Sequence, residues 1–324
     1  MRRGLAGAVL CAIVVVLGQV VAQAEDFPAR TIRFIVPSPP GGGTDIIARS
    51  LAQKFSERAG FAAVVENKIG AGSLVGTDYV AKAPPDGYTL MVGGLFNMVM
   101  NSALIKDLSY DPIRDFTPVG YISAYPFLLT VRPDMPVSTL ADFVAFAKER
   151  PGKLNYGSAG IGTLQHVWGT ILVKSLGLDM VHVPYKGAAA AQQDLIGGRI
   201  DAMFDNLSAA KQYVESGRSK ALAVSSAQRT TQMPDVPTID ESGLARFEGE
   251  SWFGLFAPAA TPAPRIAMLR RAVTESTRDV DFVARIRRDG GRVLAIPEAD
   301  QQKFLQAEVQ RWIVLVKKYG VTAN

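Results

Sequence analysis

Thr31-Ile32-Arg33-Phe34-Ile35-Val36, followed by Pro37-Ser38-Pro39-Pro40-Gly41-Gly42-Gly43 and then Thr44-Asp45, decides how this 324-residue chain is read. The first six residues are mostly β-branched or apolar and predict a strand. The next seven form a Pro/Gly loop. From Asp45 onward Ile47, Leu51 and Phe55 recur at four-residue spacing, which predicts a helix stopped by Gly60. Strand, glycine-rich loop and helix in that order make one βαβ half-unit of a mostly parallel sheet.

Working outward, the same unit recurs. Ala63-Val64-Val65 predicts a short strand, Gly70-Ala71-Gly72 a loop, residues 74–83 a helix, and Pro84-Pro85-Asp86-Gly87 a turn into a strand over 88–92. Phe127-Leu128-Leu129-Thr130-Val131 predicts a further strand and residues 139–148 an amphipathic helix stopped by Pro151-Gly152. Three more strand–loop–helix units follow. Leu154-Asn155-Tyr156 runs into Gly157-Ser158-Ala159-Gly160-Ile161-Gly162-Thr163, Met180-Val181-His182-Val183 into Pro184-Tyr185-Lys186-Gly187, and Ala202-Met203-Phe204 into Asp205-Asn206. Phe253-Gly254-Leu255-Phe256-Ala257-Pro258 predicts a strand returning from the second set of units to the first. Leu305, Val309, Trp312 and Val316 put one apolar stripe on a C-terminal helix that ends before Gly320. The expectation is an α/β protein of two lobes, residues 25–125 with 250–324 and residues 126–249, with a ligand cleft at the carboxyl ends of their strands.

The ends and the composition narrow the function. Arg2 and Arg3 precede an apolar run over 5–21 and Ala22-Gln23-Ala24, the layout of a secretory signal peptide cut after Ala24; an uncut anchor or a lipid on Cys11 fits the pattern less well. Removal of residues 1–24 leaves 300 residues, takes away the single Cys, and lowers the net charge from +5 to +3. A disulfide, a thiolate metal site and a Cys nucleophile are then excluded. The two His, His166 and His182, lack metal-site spacing, and no basic stripe speaks for nucleic acid, so no metal, cofactor or nucleic acid is expected.

Two loops carry the chemistry. The glycines of 39–45 let backbone N–H groups approach a ligand, and the helix start behind them favours a carboxylate or phosphate; the loop is neither a Walker A nor a GxGxxG motif. Asp45 either meets the ligand or serves as a first-turn helix acid. In the second loop Ser158 and Thr163 add hydroxyl donors, or turn and cap the chain. Lys186 pairs with an anion or points into water. Asp205 accepts from a ligand amine or hydroxyl, or ties its loop to a neighbour. Ser158, His166 and Asp205 are also the makings of a hydrolase triad, but Gly157-Ser158-Ala159-Gly160 is not the G-x-S-x-G elbow and His166 falls within the helix that follows. Trp168, Trp252 and Tyr185 read as core or cleft wall.

Six stretches together resemble the Bug family of extracytoplasmic solute receptors of tripartite tricarboxylate transporters. They are the 39–45 loop, Glu66-Asn67-Lys68-Ile69-Gly70-Ala71-Gly72, Ala83-Pro84-Pro85-Asp86-Gly87-Tyr88-Thr89-Leu90, Val183-Pro184-Tyr185-Lys186-Gly187, Met233-Pro234-Asp235-Val236-Pro237-Thr238, and Trp252 with the strand to Pro258. The resemblance implies a type II periplasmic-binding-protein fold that closes on a small carboxylate: a di- or tricarboxylate, an acidic amino acid or an aromatic acid. It places Pro40, Gly41, Gly42, Thr44 and Asp45 on the ligand from lobe one and Ser158, Gly160 and Thr163 from lobe two, with Asp205, Tyr185 and Asn97 on the cleft wall. It further implies a monomeric periplasmic receptor, not an enzyme, that delivers to membrane permease subunits. A ligand sensor for a two-component kinase is the alternative from another class, and a periplasmic serine hydrolase the third. Ser38 departs from the family, which usually has an aromatic there, a change expected to widen or wet the pocket; Ala190 or a neighbour replaces a common Pro, with no functional meaning attached.

Overall fold

The structure is a computed structural model that describes residues 27–322; the predicted signal peptide lies outside them. The chain divides into a unit that ends at Arg30 and one that spans Thr31–Asn324. Residues 27–30 form no helix or strand.

The 31–36 reading holds as β1, Ile32–Val36, an interior strand with Ile32, Phe34, Ile35 and Val36 fully buried. β1 pairs in parallel with β2, Ala63–Asn67, on one side and with β3, Thr89–Gly94, on the other. The helix α1, Gly43–Lys54, follows β1, α2, Leu74–Ala81, precedes β3, and the short α3, Asn101–Leu104, comes after it. A second parallel set repeats the pattern. β5, Leu154–Ser158, lies between β6, Met180–Pro184, and β7, Ala202–Asn206. Helices α4, Leu140–Lys148, α5, Leu164–Ser175, α6, Ala188–Ile196, and α7, Leu207–Glu215, accompany it. Alternate residues of β7 face opposite layers: Ala202 and Phe204 join the cluster that holds Trp168 and Leu172 of α5, and Met203 packs with Ala191 and Leu195 of α6.

One strand belongs to both sets. β4, Phe116–Val131, is 16 residues long; its first part pairs antiparallel with β9, Glu250–Pro258, and its last part with β7 and with β8, Lys220–Val224. The sequence predicted only its last five residues. Pro118, Gly120 and Pro126 interrupt the first part, and the ladder to β9 absorbs them through two register shifts. β9 continues the sheet to β3, so the order reads β2-β1-β3-β9-β4-β7-β5-β6. The antiparallel pairs are those of the crossing strands and of the short β10, Arg292–Val293, on β4; within each wing the strands run parallel. Three helices complete the chain: α8, Ala263–Thr277, α9, Val280–Arg288, and α10, Gln301–Lys318. The C-terminal stripe is as expected, with Leu305, Trp312 and Val316 buried and Val309 packed against them. Trp168 and Trp252 are core residues.

Candidate functional site

The first glycine-rich turn lies between β1 and α1 and is held from behind by Asp45. Gly41 takes a left-handed φ of +79°, and Gly42 caps α1 without any side-chain bond. The Asp45 carboxylate, only 2% exposed, accepts from the Gly41 N–H at 2.9 Å, from two nitrogens of Arg49 at 2.9 Å each, and from Asn67 Nδ2 at 2.9 Å. Asn67 also donates to the Ser38 carbonyl, so the end of β2 and the turn after β1 are laced together. The Arg49 guanidinium, ahead of the other donors, holds the Asp45 carboxyl down to about 2. Both carboxylate oxygens thus serve the protein, and the groups left exposed on this turn belong to Pro39, Pro40, Gly41, Gly42 and Gly43, with Thr44 half-buried. The Ser38 hydroxyl is covered and has no hydrogen-bond partner among the described residues.

Asn97 lies inside the first wing. Its side-chain oxygen accepts from the Gly94 N–H at 2.8 Å, its amide donates to Thr77 Oγ1 at 3.1 Å, and its carbonyl accepts from the Tyr110 hydroxyl. It thereby closes the end of β3.

The second glycine-rich turn, between β5 and α5, is held by neutral groups. Ser158 Oγ lies 2.7 Å from His182 Nε2, and it both donates to the carbonyl and accepts from the N–H of Gly160. Thr163 caps α5, accepting from the His166 N–H and donating to the Gly160 carbonyl at 2.7 Å. The Gly162 N–H donates to His166 Nδ1 at 3.2 Å. His166 stacks on His182 with centroids 4.3 Å apart, and His182 stacks on Tyr156 at 5.0 Å. Burial, with His166 alongside, pushes His182 down to about 4; burial, with a smaller effect of Lys174, also lowers His166. At neutral pH both rings are uncharged. The Tyr185–Gly187 turn is fastened to this one by its backbone: the Tyr185 N–H donates to the Ser158 carbonyl and the Gly187 N–H to the Ala159 carbonyl, each at 3.1 Å. The Tyr185 hydroxyl donates to Asp194 at 2.7 Å, and Lys186 is exposed.

Asp205 is 1% exposed, and among the described residues its carboxylate has one hydrogen bond, from the Asn206 N–H at 2.8 Å. Burial pushes its carboxyl up to about 7. The hydrolase triad is not assembled. The Ser158 hydroxyl meets His182 rather than His166, and no carboxylate hydrogen-bonds either ring among the described residues.

A cavity of about 580 Å³ lies where the wings meet. Gly43 at the start of α1, Tyr125, Ser251 and Phe253 on the crossing strands, and Asn206 and Ser208 at the β7–α7 junction line it, together with the last turn of α9. Phe253 stands 3.9 Å from where a side chain on Gly43 would begin, and its ring meets that of Tyr125 at 5.9 Å. Gly43 from the end of the first turn and Asn206 from the end of β7 therefore share one wall, whereas Pro40, Gly41, Gly42, Thr44, Asp45, Asn97, Ser158, Gly160, Thr163, Tyr185 and Asp205 lie outside that lining. The sequence pattern reaches Gly43, Asn206 and Phe253 of this lining but gives no signal for Tyr125, Ser208 or Ser251. Among the described residues no group of three or more His, Cys, Asp or Glu is placed to hold a metal ion, and no helix is long and apolar enough to cross a membrane.

Two parallel wings bridged by two crossing strands, with glycine-rich turns ending their strands and a cavity at the bridge, define a binding protein of the periplasmic-binding-protein fold. Residues 47–321 match the tripartite tricarboxylate transporter family receptor (TctC) family, and the chain belongs to that family. It is 33% identical over 300 residues to protein BugT of Bordetella pertussis, covering 92% of each chain. Among solved structures it is similar to Rpa4515 of R. palustris with adipate, at 34% identity and a TM-score of 0.78 over 92% of this chain and 99% of that one. It is also similar to MatC of Rhodopseudomonas palustris with bound malate, at 34% identity and a TM-score of 0.74 over 90% of this chain and 100% of that one.

Proposed function

We propose that this protein is a solute receptor that captures a small carboxylate by closure of its two wings and hands it to the membrane permease of a tripartite tricarboxylate transporter. The observation that carries the reading is that Asp45, Ser158 and Thr163 are committed to protein partners, while each glycine-rich turn opens a helix whose first N–H groups have no acceptor within that helix. Such neutral donors replace the hydration of a carboxylate without a chemical step, and a cleft that closes over them excludes water. Pro40, Gly41, Gly42 and Thr44 would line the ligand from one side and Gly160 and Thr163 from the other, with Asp45, Ser158 and Tyr185 fixing the shape of the turns, while Asn97, buried at the end of β3, braces the first wing rather than the cleft wall. Asp205, poised between its charged and neutral forms near pH 7, would either accept from a ligand hydroxyl or ammonium or donate to a carboxylate.

In this reading residues 25–125 with 250–324 move against residues 126–249 about the crossing strands β4 and β9, and ligand contacts made in both wings favour the closed form. The receptor works as a monomer in the periplasm after loss of residues 1–24. The relatives that hold adipate and malate support a carboxylate as the ligand class. Titration calorimetry against a panel of straight-chain mono-, di- and tricarboxylates, malate and acidic amino acids tests it. Saturable heat with at least one of them is expected, and none with any of them overturns the reading.

A further inference from the structure

The cavity at the bridge has a wall that capture of a single carboxylate leaves without a role. Arg285 and Arg288, both in the last turn of α9, line it together with Asp289. Arg285 reaches Asp289 one helical turn on, at 3.8 Å, with side chains 41% and 43% exposed, a loose contact that a better acceptor displaces. Arg288 makes no ion pair or hydrogen bond among the described residues. Two guanidinium groups against one carboxylate leave the wall cationic.

The wall is also held in place. Gly290, just past the Asp289 that caps α9, has a left-handed φ of +87°, and a side chain there would begin 3.0 Å from the Ser208 N–H nitrogen. Only glycine lets the end of α9 seat so closely on the start of α7. The backbone at Arg288, two residues away, is therefore held beside a cavity that Gly43 enters from α1 and Asn206 from β7. The Tyr125 phenol faces the same space and senses the charges of Asp289 and Arg285; burial pushes it up to about 12, so it stays a donor.

We infer that Arg288, assisted by Arg285, receives a second anionic group at the far end of the ligand, so that the receptor selects dicarboxylates over monocarboxylates of the same chain length. The inference rests on the carboxylate-receptor reading and assigns the end of the ligand that the glycine-rich turns do not hold. A monoacid leaves both arginines hydrated. A diacid exchanges that hydration for charge-assisted hydrogen bonds inside a partly enclosed cavity.

The test is titration calorimetry of the unmodified protein and of Arg288→Ala, Arg288→Lys and Arg287→Ala with paired straight-chain mono- and diacids of four to eight carbons, hexanoate and adipate among them. In Arg288→Ala, diacid affinity is expected to fall about tenfold or more while monoacid affinity stays, which removes the discrimination. Arg288→Lys retains part of the preference. Arg287→Ala, whose side chain lies outside the lining, behaves as the unmodified protein. An Arg288→Ala protein that still prefers diacids, or that loses both ligands equally, overturns the inference and leaves the receptor reading standing. If none of the pairs and none of the wider carboxylate panel binds the unmodified protein, both fall together.

Discussion

The two glycine-rich turns have the same place in the fold, each ending a parallel strand and opening a helix, but opposite chemistry holds them. The turn after β1 is held by charge: Asp45 gathers the Gly41 N–H, Arg49 and Asn67. The turn after β5 is held by neutral groups, the stack of Tyr156, His182 and His166 with the Ser158 and Thr163 hydroxyls. A charged anchor keeps its geometry down to low pH and depends on one side chain. A neutral stack spreads its support over several side chains and is exposed to protons. Two turns in equivalent places of the fold are thus built one stiff and the other pH-sensitive.

The comparison breaks most directly at Asp45. In Asp45→Ala the Gly41 N–H and one Asn67 donor lose a charged acceptor, while Arg49, whose side chain is 54% exposed, returns to water. A stability loss of about 2–3 kcal/mol is expected, read from urea unfolding, with ligand affinity falling alongside as the turn loosens. Asp45→Asn should recover less than half of it, since an amide cannot accept from all these donors. The sign of the pH effect is fixed by the lowered carboxyl: this anchor contributes fully above the unfolded-state carboxylate range near 4 and is lost as pH falls toward about 2.

The second turn should fail earlier on acidification. His182 titrates near 6.5 when unfolded and near 4 when folded, so below about pH 6.5 the unfolded chain takes up a proton that the native stack refuses. Stability contributed by the neutral ring is complete above that range and drains away as pH falls through 6 and 5. Allowing for a ring that is only half-buried, the loss at pH 5 is about 1 kcal/mol. In His182→Gln, which keeps a partner for Ser158 without a titrating group, melting temperature measured from pH 7 to pH 5 should fall less than in the unmodified protein; parallel curves would remove the stack as the cause. Asp205 works in the opposite sense. Its raised carboxyl keeps a proton that the unfolded chain gives up near pH 4, so its contribution is complete below that range and is lost as pH rises to about 7; Asp205→Asn removes this opposing slope, and melting temperature should then fall more steeply from pH 7 to pH 5.

How far these edges were legible follows from how local their signals are. Ile32, Phe34 and Ile35 in β1 and the amphipathic helix α4 that follows Thr139 are set by neighbours along the chain, and pattern reading reached them. The first part of β4 was missed because Pro118, Gly120 and Pro126 break the alternation; only pairing with β9 makes it a strand. The turns themselves were legible from their glycines, but what holds them was not. Asp45 meets Asn67 because β2 ends beside β1, and Ser158 meets His182, 24 residues on, because β6 runs in register with β5. Ser158 and His166 were paired in the sequence as neighbours in one loop and helix; the sheet gave the hydroxyl to the other histidine. Arg285 and Arg288 carry no signal at all, since an arginine in the last turn of an amphipathic helix is what any solvated helix end shows.

The smallest effect lies at Tyr185, and it separates side-chain support from backbone support in the second turn. Its hydroxyl bonds Asp194, whose side chain is 24% exposed and also holds Arg199 at 2.7 Å, so removing the hydroxyl leaves the acid partnered and near water. The Tyr185 N–H to Ser158 carbonyl bond survives any side-chain change. Tyr185→Phe should therefore cost only about 0.5–1 kcal/mol, a melting shift of about 1–3 °C in a chain of this size, with ligand affinity unchanged. A Tyr185→Phe protein that melts as the unmodified one but binds its carboxylate markedly less well would place the hydroxyl on the ligand instead. The wall role assigned to Tyr185 in the closed cleft would then rest on direct contact, and the neutral edge would lose one of its struts.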